Sequence, residues 1–212
     1  MEQHPECVVC GSYADVITED GEFVYLFSNL PSTPEDIVKQ INNKNCFIHS
    51  AAFYKKSIAI EVGGYYEPII GGFEDRVFFF QMIKKGLGCN IRKPLIKYRI
   101  GPFSITKKTY SRRYKKLVRE VSLRGFITEK EKKFWFEYRM KGRMNKNVQL
   151  SNYYLMLSRL YSKYQNDTKK VIFYFKKGMI ISPLNPIIVI SLLHILINSI
   201  IRFLNEKILF KS

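Results

Sequence analysis

The sequence predicts a mixed α/β layered domain, followed by basic amphipathic helices and a C-terminal apolar helix. Three observations carry this. Apolar segments of strand length interleave with segments at helical spacing through about residue 106. The charge then shifts: residues 1–106 hold 11 Lys+Arg against 12 Asp+Glu, residues 107–180 hold 21 against 5, and residues 181–212 hold 3 against 1. Last, Ile187 to Leu204 are 18 residues of nearly unbroken apolar character. These shifts draw three segments, 1–106, 107–180 and 181–212. A hydrophobic content of 46% with 15% aromatics suits a packed core and excludes a disordered chain.

In chain order, "CVVCGSYADVI" and "GEFVYLF" read as strands joined by the turn "TEDG". "STPEDIVKQI" reads as a helix with Thr33 as cap, Pro34 at its first position and Asp36 three after the cap. "CFIHSAAFY" is apolar, aromatic and of strand length. "KKSIAIEVGGYYEP" is a short helical turn and then a glycine-bearing loop. "EDRVFFFQMIKKGL" is a helix with acids at its start, lysines at its end and Gly86 as its stop. "CNIRK" and "LIKYRI" read as two short strands broken by Pro94.

Beyond Thr106, "KKTYSRRYKKLVREVSLRGF", "TEKEKKFWFEYRMKGRM" and "SNYYLMLSRLYSKY" place apolar and aromatic residues at helical spacing among bases. They predict two or three amphipathic helices whose aromatics pack on each other or on the domain. The excess of positive charge seeks an anionic partner, nucleic acid or an anionic membrane surface.

Pro183 and Pro186 mark a break before the apolar tail. A membrane span needs about 20 apolar residues, so the tail is near the lower limit. His194, Asn198 and Arg202 recur every four residues and form one polar stripe. That stripe favours an interfacial or partner-packed helix over a lipid-exposed span, with a buried core helix as a third reading. Lys176 and Lys177 before it, and Lys207 and Lys211 after it, suit an anionic interface.

The cysteines are Cys7, Cys10, Cys46 and Cys89. The N-terminus, "MEQHPECVVCG", has no apolar run of a secretory signal, so reduced thiols in a cytosolic compartment are the expectation. "CVVC" has no second close pair to complete a zinc site. Positions three apart in a strand face opposite ways, which predicts small buried cysteines and no metal ligand.

From Pro5 to Thr106 the order of "HPECVVCGSY", "NKNCFIHSAAFYKKSIAIEVGGYYEP", "FEDRVFFFQMIKKG" and "KPLIKYRIGPFSIT" resembles the acceptor-side half of a family 2 glycosyltransferase of GT-A fold. The resemblance covers about half the chain. It implies an incomplete GT-A-like (Rossmann-like) mixed sheet over 1–106, a basic helical extension over 107–180 and a membrane-associating helix over 181–212. The extensions also resemble those of membrane-associated members. The implied reaction is an inverting transfer from a nucleotide sugar to a glycan or lipid-linked acceptor, in surface polysaccharide synthesis at the inner face of the membrane. Asp75 matches the family's catalytic base. Glu74 beside it would bind acceptor hydroxyls or orient the loop. On local chemistry alone, both are helix-capping acids. A carboxylate at a helix N-terminus is held ionised by the dipole, which predicts a ready but weak base.

Asn45 and His49 match the family's Asn-x-x-x-His. Four apart in a strand, they would share a face and line the acceptor cleft; a histidine simply buried in the sheet is the alternative. Gly63 and Gly64 would allow a tight turn beside the site. Tyr98, Arg99 and Ser104 fall where the family closes the cleft near the diphosphate, with Arg99 offering a planar fork to phosphate.

Two departures stand out. "YRIGPFS" offers Gly101 where many relatives carry a histidine. The family's nucleotide-binding half, with its metal-binding Asp-x-Asp, has no counterpart: the aspartates are Asp15, Asp20, Asp36, Asp75 and Asp167, none two apart. A divalent cation, Mg or Mn, is expected of the complete family enzyme, and no ligand motif for it stands here. The expectation is a truncated reading frame, ahead of a split enzyme completed by a second chain or a degenerate remnant, and no turnover by this chain alone. The competing class is a basic module without catalysis, which binds either a membrane surface or, through residues 107–180 with Trp135 among its stacking aromatics, nucleic acid. The apolar tail argues against nucleic-acid binding.

Overall fold

The computed structural model describes residues 1–2, 4–104, 111–141 and 145–209. Among these it has a four-stranded sheet and eight α-helices, the last of them apolar. The chain forms two compact units. One comprises Met1–Asp15, Leu26–Tyr98 and Lys108–Gly142; the other comprises Val16–Tyr25, Arg99–Lys107 and Arg143–Ser212.

Strand β1 (Cys7–Ile17) pairs with each of the others: β2 (Phe23–Phe27), β3 (Phe53–Tyr54) and β4 (Leu87–Arg99). β3 lies antiparallel to it, with Val9 opposite Tyr54. β4 runs parallel, since Leu87 N donates to Glu6 O near one end and Ile100 N donates to Ile17 O at the other, both at 2.9 Å. The predicted strand "CFIHSAAFY" is not formed. Only Phe53–Tyr54 pairs; the buried run Cys46 to Ile48 leads instead into a 3-10 turn at His49–Ala51. The side chain of Asn90 substitutes for a ladder there, donating to Pro31 O at 2.7 Å and Cys46 O at 2.9 Å. It leaves no room at Gly11, where a Cβ would lie 2.1 Å from Asn90 Oδ1. Pro94 does not break β4 as predicted. The residues around it are exposed, and proline is tolerated where its missing N–H faces solvent.

In the first unit, α1 (Pro34–Ile41) starts as predicted, with Thr33 Oγ1 accepting from Asp36 N at 3.3 Å. α2 (Lys56–Glu61) ends at Gly63 and Gly64, both at positive φ. α3 (Glu74–Ile83) buries Val77, Phe78, Phe79, Phe80 and Met82, which lie around its circumference. Phe78, Phe79, Phe80 and Met82 join a core with Val8, Val9, Ile37 and Phe47. Phe73 and Val77 join a second core with Tyr114, Val121 and Trp135, from α4 (Arg112–Arg124) and α5 (Glu129–Lys141). Tyr114 and Trp135 of this basic stretch are therefore core residues, whereas Phe126 and Phe136 are exposed. Trp135, at 7% exposure, is withdrawn from any stacking role.

The second unit holds α6 (Lys146–Leu160), a π-type turn at Tyr161–Gln165, α7 (Thr168–Ile181) and α8 (Ile187–Leu209). Residues 107–180 thus form four helices among the described residues, against two or three predicted. The unpredicted one is α7. It packs closely on α6 at Gly178, where a Cβ would lie 2.7 Å from Leu155 Cγ and 3.2 Å from Ser151 O. Ser151 Oγ donates to Gly178 O at 2.7 Å, and Asn185 Nδ2 donates to Ser151 Oγ at 2.9 Å. Tyr153 OH donates to Ile100 O and accepts from Glu19 N, each at 3.2 Å.

α8 turns a narrow stripe inward: Ser191 is buried, and Ile188, Ile195, Asn198 and Arg202 are half-buried. Arg202 Nη2 donates to Ser162 O at 2.7 Å. His194, predicted to share this stripe, is exposed. A strict four-residue spacing drifts by roughly 40° per step on a 3.6-residue helix, whereas alternating steps of three and four hold a face.

Gly178→Ala is expected to destabilise the fold by about 1–3 kcal/mol, because Leu155 is fully buried and cannot move aside freely. Thermal unfolding would register this as a lower midpoint; an unchanged midpoint would show that the two helices separate easily.

Candidate functional site

The first turn of α3 presents the acidic pair. No side chain caps this helix: Phe73 occupies the cap position, and the two acids act from inside the first turn. Glu74 Oε2 reaches back to accept from Gly72 N at 2.9 Å, holding the loop before the helix. That loop needs its glycines. Gly71 has φ +75, and a Cβ on Gly72 would lie 2.9 Å from Trp135 Nε1. Asp75 Oδ1 accepts from Arg76 N at 2.7 Å, and Asp75 Oδ2 accepts from Asn45 Nδ2 at 2.8 Å. Asn45 is fixed in turn, because its Oδ1 accepts from Phe47 N at 3.3 Å.

Arg76, which the sequence reading passed over, ties this corner together. Its Nη1 donates to Asn43 O at 3.3 Å and its Nη2 to Asn42 O at 3.1 Å, at the C-terminal end of α1. A guanidinium there meets free carbonyls and the negative end of the helix dipole. The signal was visible only as a base following the acidic pair; nothing in the sequence showed where its fork would reach.

His49 does not lie on a strand with Asn45 but opens a 3-10 turn, His49–Ala51. Its Nε2 lies 2.7 Å from the hydroxyl of Tyr65, whose ring packs on Phe78 of α3 with centroids 4.5 Å apart. Tyr65 also lines a cavity of about 480 Å³ with Tyr54, Lys56, Gly63, Gly64 and Phe78. Gly63 and Gly64 have φ +84 and +68 and open space where side chains would stand. The predicted residues Asn45, His49, Gly63, Gly64, Glu74 and Asp75 thus all belong to the first unit, with Tyr65 and Arg76 as additions.

Tyr98 is half-buried near the end of β4. Arg99 and Ser104 belong to the second unit. The Arg99 fork donates through Nη1 to the carbonyls of Thr18 and Glu19, in the turn between β1 and β2. Ser104 Oγ accepts from Gly101 N at 2.9 Å and closes a turn.

Burial pushes the Asp75 carboxyl above its ordinary value of 3.8; the Arg76 N–H opposes this, Glu74 adds to it and His49 opposes it. The helix N-terminus was expected to keep this acid a weak base. Burial outweighs it, so Asp75 is a stronger proton acceptor than position alone implied. Burial likewise raises the Tyr65 phenol, with Tyr54 adding to it.

A carboxyl raised on folding contributes stability below the unfolded-state pKa and loses it as pH climbs through the folded one. Asp75→Asn removes that dependence. The midpoint of the variant minus that of the wild type should therefore become more positive from about pH 4 to pH 7 in thermal scans. A difference that stays flat or falls would refute the burial argument, whatever the constant cost of the altered hydrogen bonds.

Comparison with protein-family profiles found no match, and comparison with solved structures found none. The chain is similar to an uncharacterized glycosyltransferase of Haemophilus influenzae, 25% identical over 109 residues. Those residues are 51% of this chain and 39% of that protein, so the match spans about two fifths of the relative's length. The likeness supports a glycosyltransferase relationship.

Proposed function

We propose that this chain supplies the acceptor side of an inverting, nucleotide-sugar-dependent glycosyltransferase of the family 2, GT-A type, working at a membrane surface in polysaccharide synthesis. The observation that carries the reading is the Asp75 carboxylate, half-buried at a helix start and aimed by Asn45 and the Arg76 N–H. An acceptor hydroxyl oxygen attacks the anomeric carbon of the donor from the face opposite the leaving group. Asp75 takes the hydroxyl proton, the bond to the nucleotide diphosphate breaks with its electron pair, and the configuration inverts. The cavity beside Tyr65 offers an aromatic face and open glycine backbone to the acceptor sugar.

The diphosphate needs charge neutralisation, which a divalent cation supplies in such enzymes. The residues here do not fit that role. No Asp-x-Asp occurs in the sequence, and among the described residues no group of three His, Cys, Asp or Glu could hold a metal.

α8 supports the membrane part of the proposal. The segment Ile187–Asn205 is long and apolar enough to cross a bilayer. Its few inward positions carry Ser191, Asn198 and Arg202, while Leu193, Leu196, Ile197, Ile200, Ile201 and Leu204 are exposed. A helix whose polar residues bond within its own unit, and whose apolar face is left open, suits insertion at the lipid–water interface.

Two outcomes are expected. With a nucleotide-binding half bearing the Asp-x-Asp supplied in fusion or in trans, Asp75→Asn should lower kcat by about 10²–10⁴-fold; unchanged transfer would remove the base assignment. The purified chain should co-sediment with vesicles containing phosphatidylglycerol, and Ile197→Glu with Ile201→Glu should weaken this by at least about tenfold. Salt-dependent binding to an oligonucleotide with no vesicle binding would instead favour the nucleic-acid module.

A further inference from the structure

The "CVVC" segment opens β1, and its Cys7, Val8 and Val9 are buried in succession. The expectation that Cys7 and Cys10 face apart does not hold at their sulfurs. Both reach Cys89 on the neighbouring strand β4. Cys10 Sγ lies 3.4 Å from Cys89 Sγ, and Cys7 Sγ lies 3.8 Å from it. Cys89, isolated in the sequence, is the centre of a three-sulfur row. All three cysteines line a cavity of about 260 Å³ with His4 and Glu6, and Cys10 also borders a second cavity of about 610 Å³.

From this geometry we infer that Cys10, Cys89 and Cys7 form a thiol–disulfide exchange site for a small disulfide, entered at Cys10. The placement sets the order of events. Cys10 borders both cavities and is half-exposed. Cys7 is buried, and burial with Cys89 beside it pushes its thiol up to about 11. Burial also raises the Cys89 thiol. The Cys10 thiolate attacks one sulfur of the small disulfide, forming a mixed disulfide and releasing one small thiol. Cys89 loses its proton to water and attacks the Cys10 sulfur, expelling the second small thiol. Two protein thiols and one small disulfide thus give one protein disulfide and two small thiols. A Cys10–Cys89 bridge needs the two sulfurs to close from 3.4 Å to about 2.05 Å, a short approach for side-chain rotation. Cys7 can then attack Cys89, moving the bridge one step inward and freeing Cys10. The site is independent of the glycosyl-transfer reading.

The test uses the whole chain and oxidised glutathione, with thiol mapping by mass spectrometry and circular dichroism as a check on folding. The wild type should form a bridge joining Cys89 to Cys10 or Cys7 while Cys46 stays free. Cys89→Ser should halt at a glutathione adduct on Cys10. Cys10→Ser should slow oxidation by at least about tenfold, and Cys10→Ala should repeat this if the serine variant folds poorly. Four free thiols in the treated wild type would overturn the inference, as would a stable Cys10 adduct without a bridge. So would Cys10 variants that oxidise at the wild-type rate. Modification of Cys46 in step with Cys10 would also overturn it, because Cys46 has no exposed surface in the folded chain.

Discussion

The first unit depends on the burial of α3 around its circumference. A helix with one apolar stripe can rock on the layer beneath it. α3 cannot, because Phe78, Phe79, Phe80 and Met82 are committed to the core shared with β1 and α1, while Phe73 and Val77 are committed to the core shared with α4 and α5. Its N-terminal turn is therefore fixed from both sides. The acidic pair inherits that fixity, and so does the loop ahead of it, which Glu74 holds by the Gly72 N–H. Rigid support of this kind lets a carboxylate be partly desolvated and still keep a single orientation.

This constraint explains how much of the molecule could be read from residues alone. The helix starts were legible because capping is local: Thr33 accepts from Asp36 N as its spacing requires. The pairing of Asn45 with Asp75 was only half legible. The sequence suggested that both face one cleft, but through a strand that is not formed. A 3-10 turn at His49–Ala51 stands where that strand was expected, so the two-residue period does not relate the two side chains. Pro94 misled in the opposite sense, since a breaker in the middle of a sheet is harmless on an exposed strand. Arg76, Tyr65 and the cysteine row were illegible because each is defined by a partner far away in the chain, and no local pattern encodes that partner. The rise in the Asp75 pKa belongs with them, because burial is a property of the assembled core.

The basic stretch illustrates a different limit. Its charge excess is real, but Tyr114, Trp135, Tyr153 and Tyr161 among the interleaved aromatics are spent on packing, while Phe126 and Phe136 stay exposed. Tyr114 and Trp135 sit against α3, and Arg113 covers the Phe134 ring at 4.1 Å. Charge and aromatic content together look like a nucleic-acid surface until burial divides them. In the second unit the same separation runs the other way. Asn198 and Arg202 of α8 turn inward to Ser162 and Ser191 is buried, while most of the apolar residues are left outside. For a helix in water that arrangement is inverted, and for one lying in a bilayer interface it is the stable choice.

The clasp on Asp75 has one more consequence. A carboxylate oxygen offers two lone pairs, and here one on each oxygen is already occupied, by Asn45 on one side and by the Arg76 N–H on the other. The remaining pairs define a narrow sector from which a hydroxyl can be received. In the proposed transfer the carboxylate would act as a directional filter, receiving only a hydroxyl that arrives within that sector. On that proposal, two hydrogen bonds that never touch the substrate set the regioselectivity.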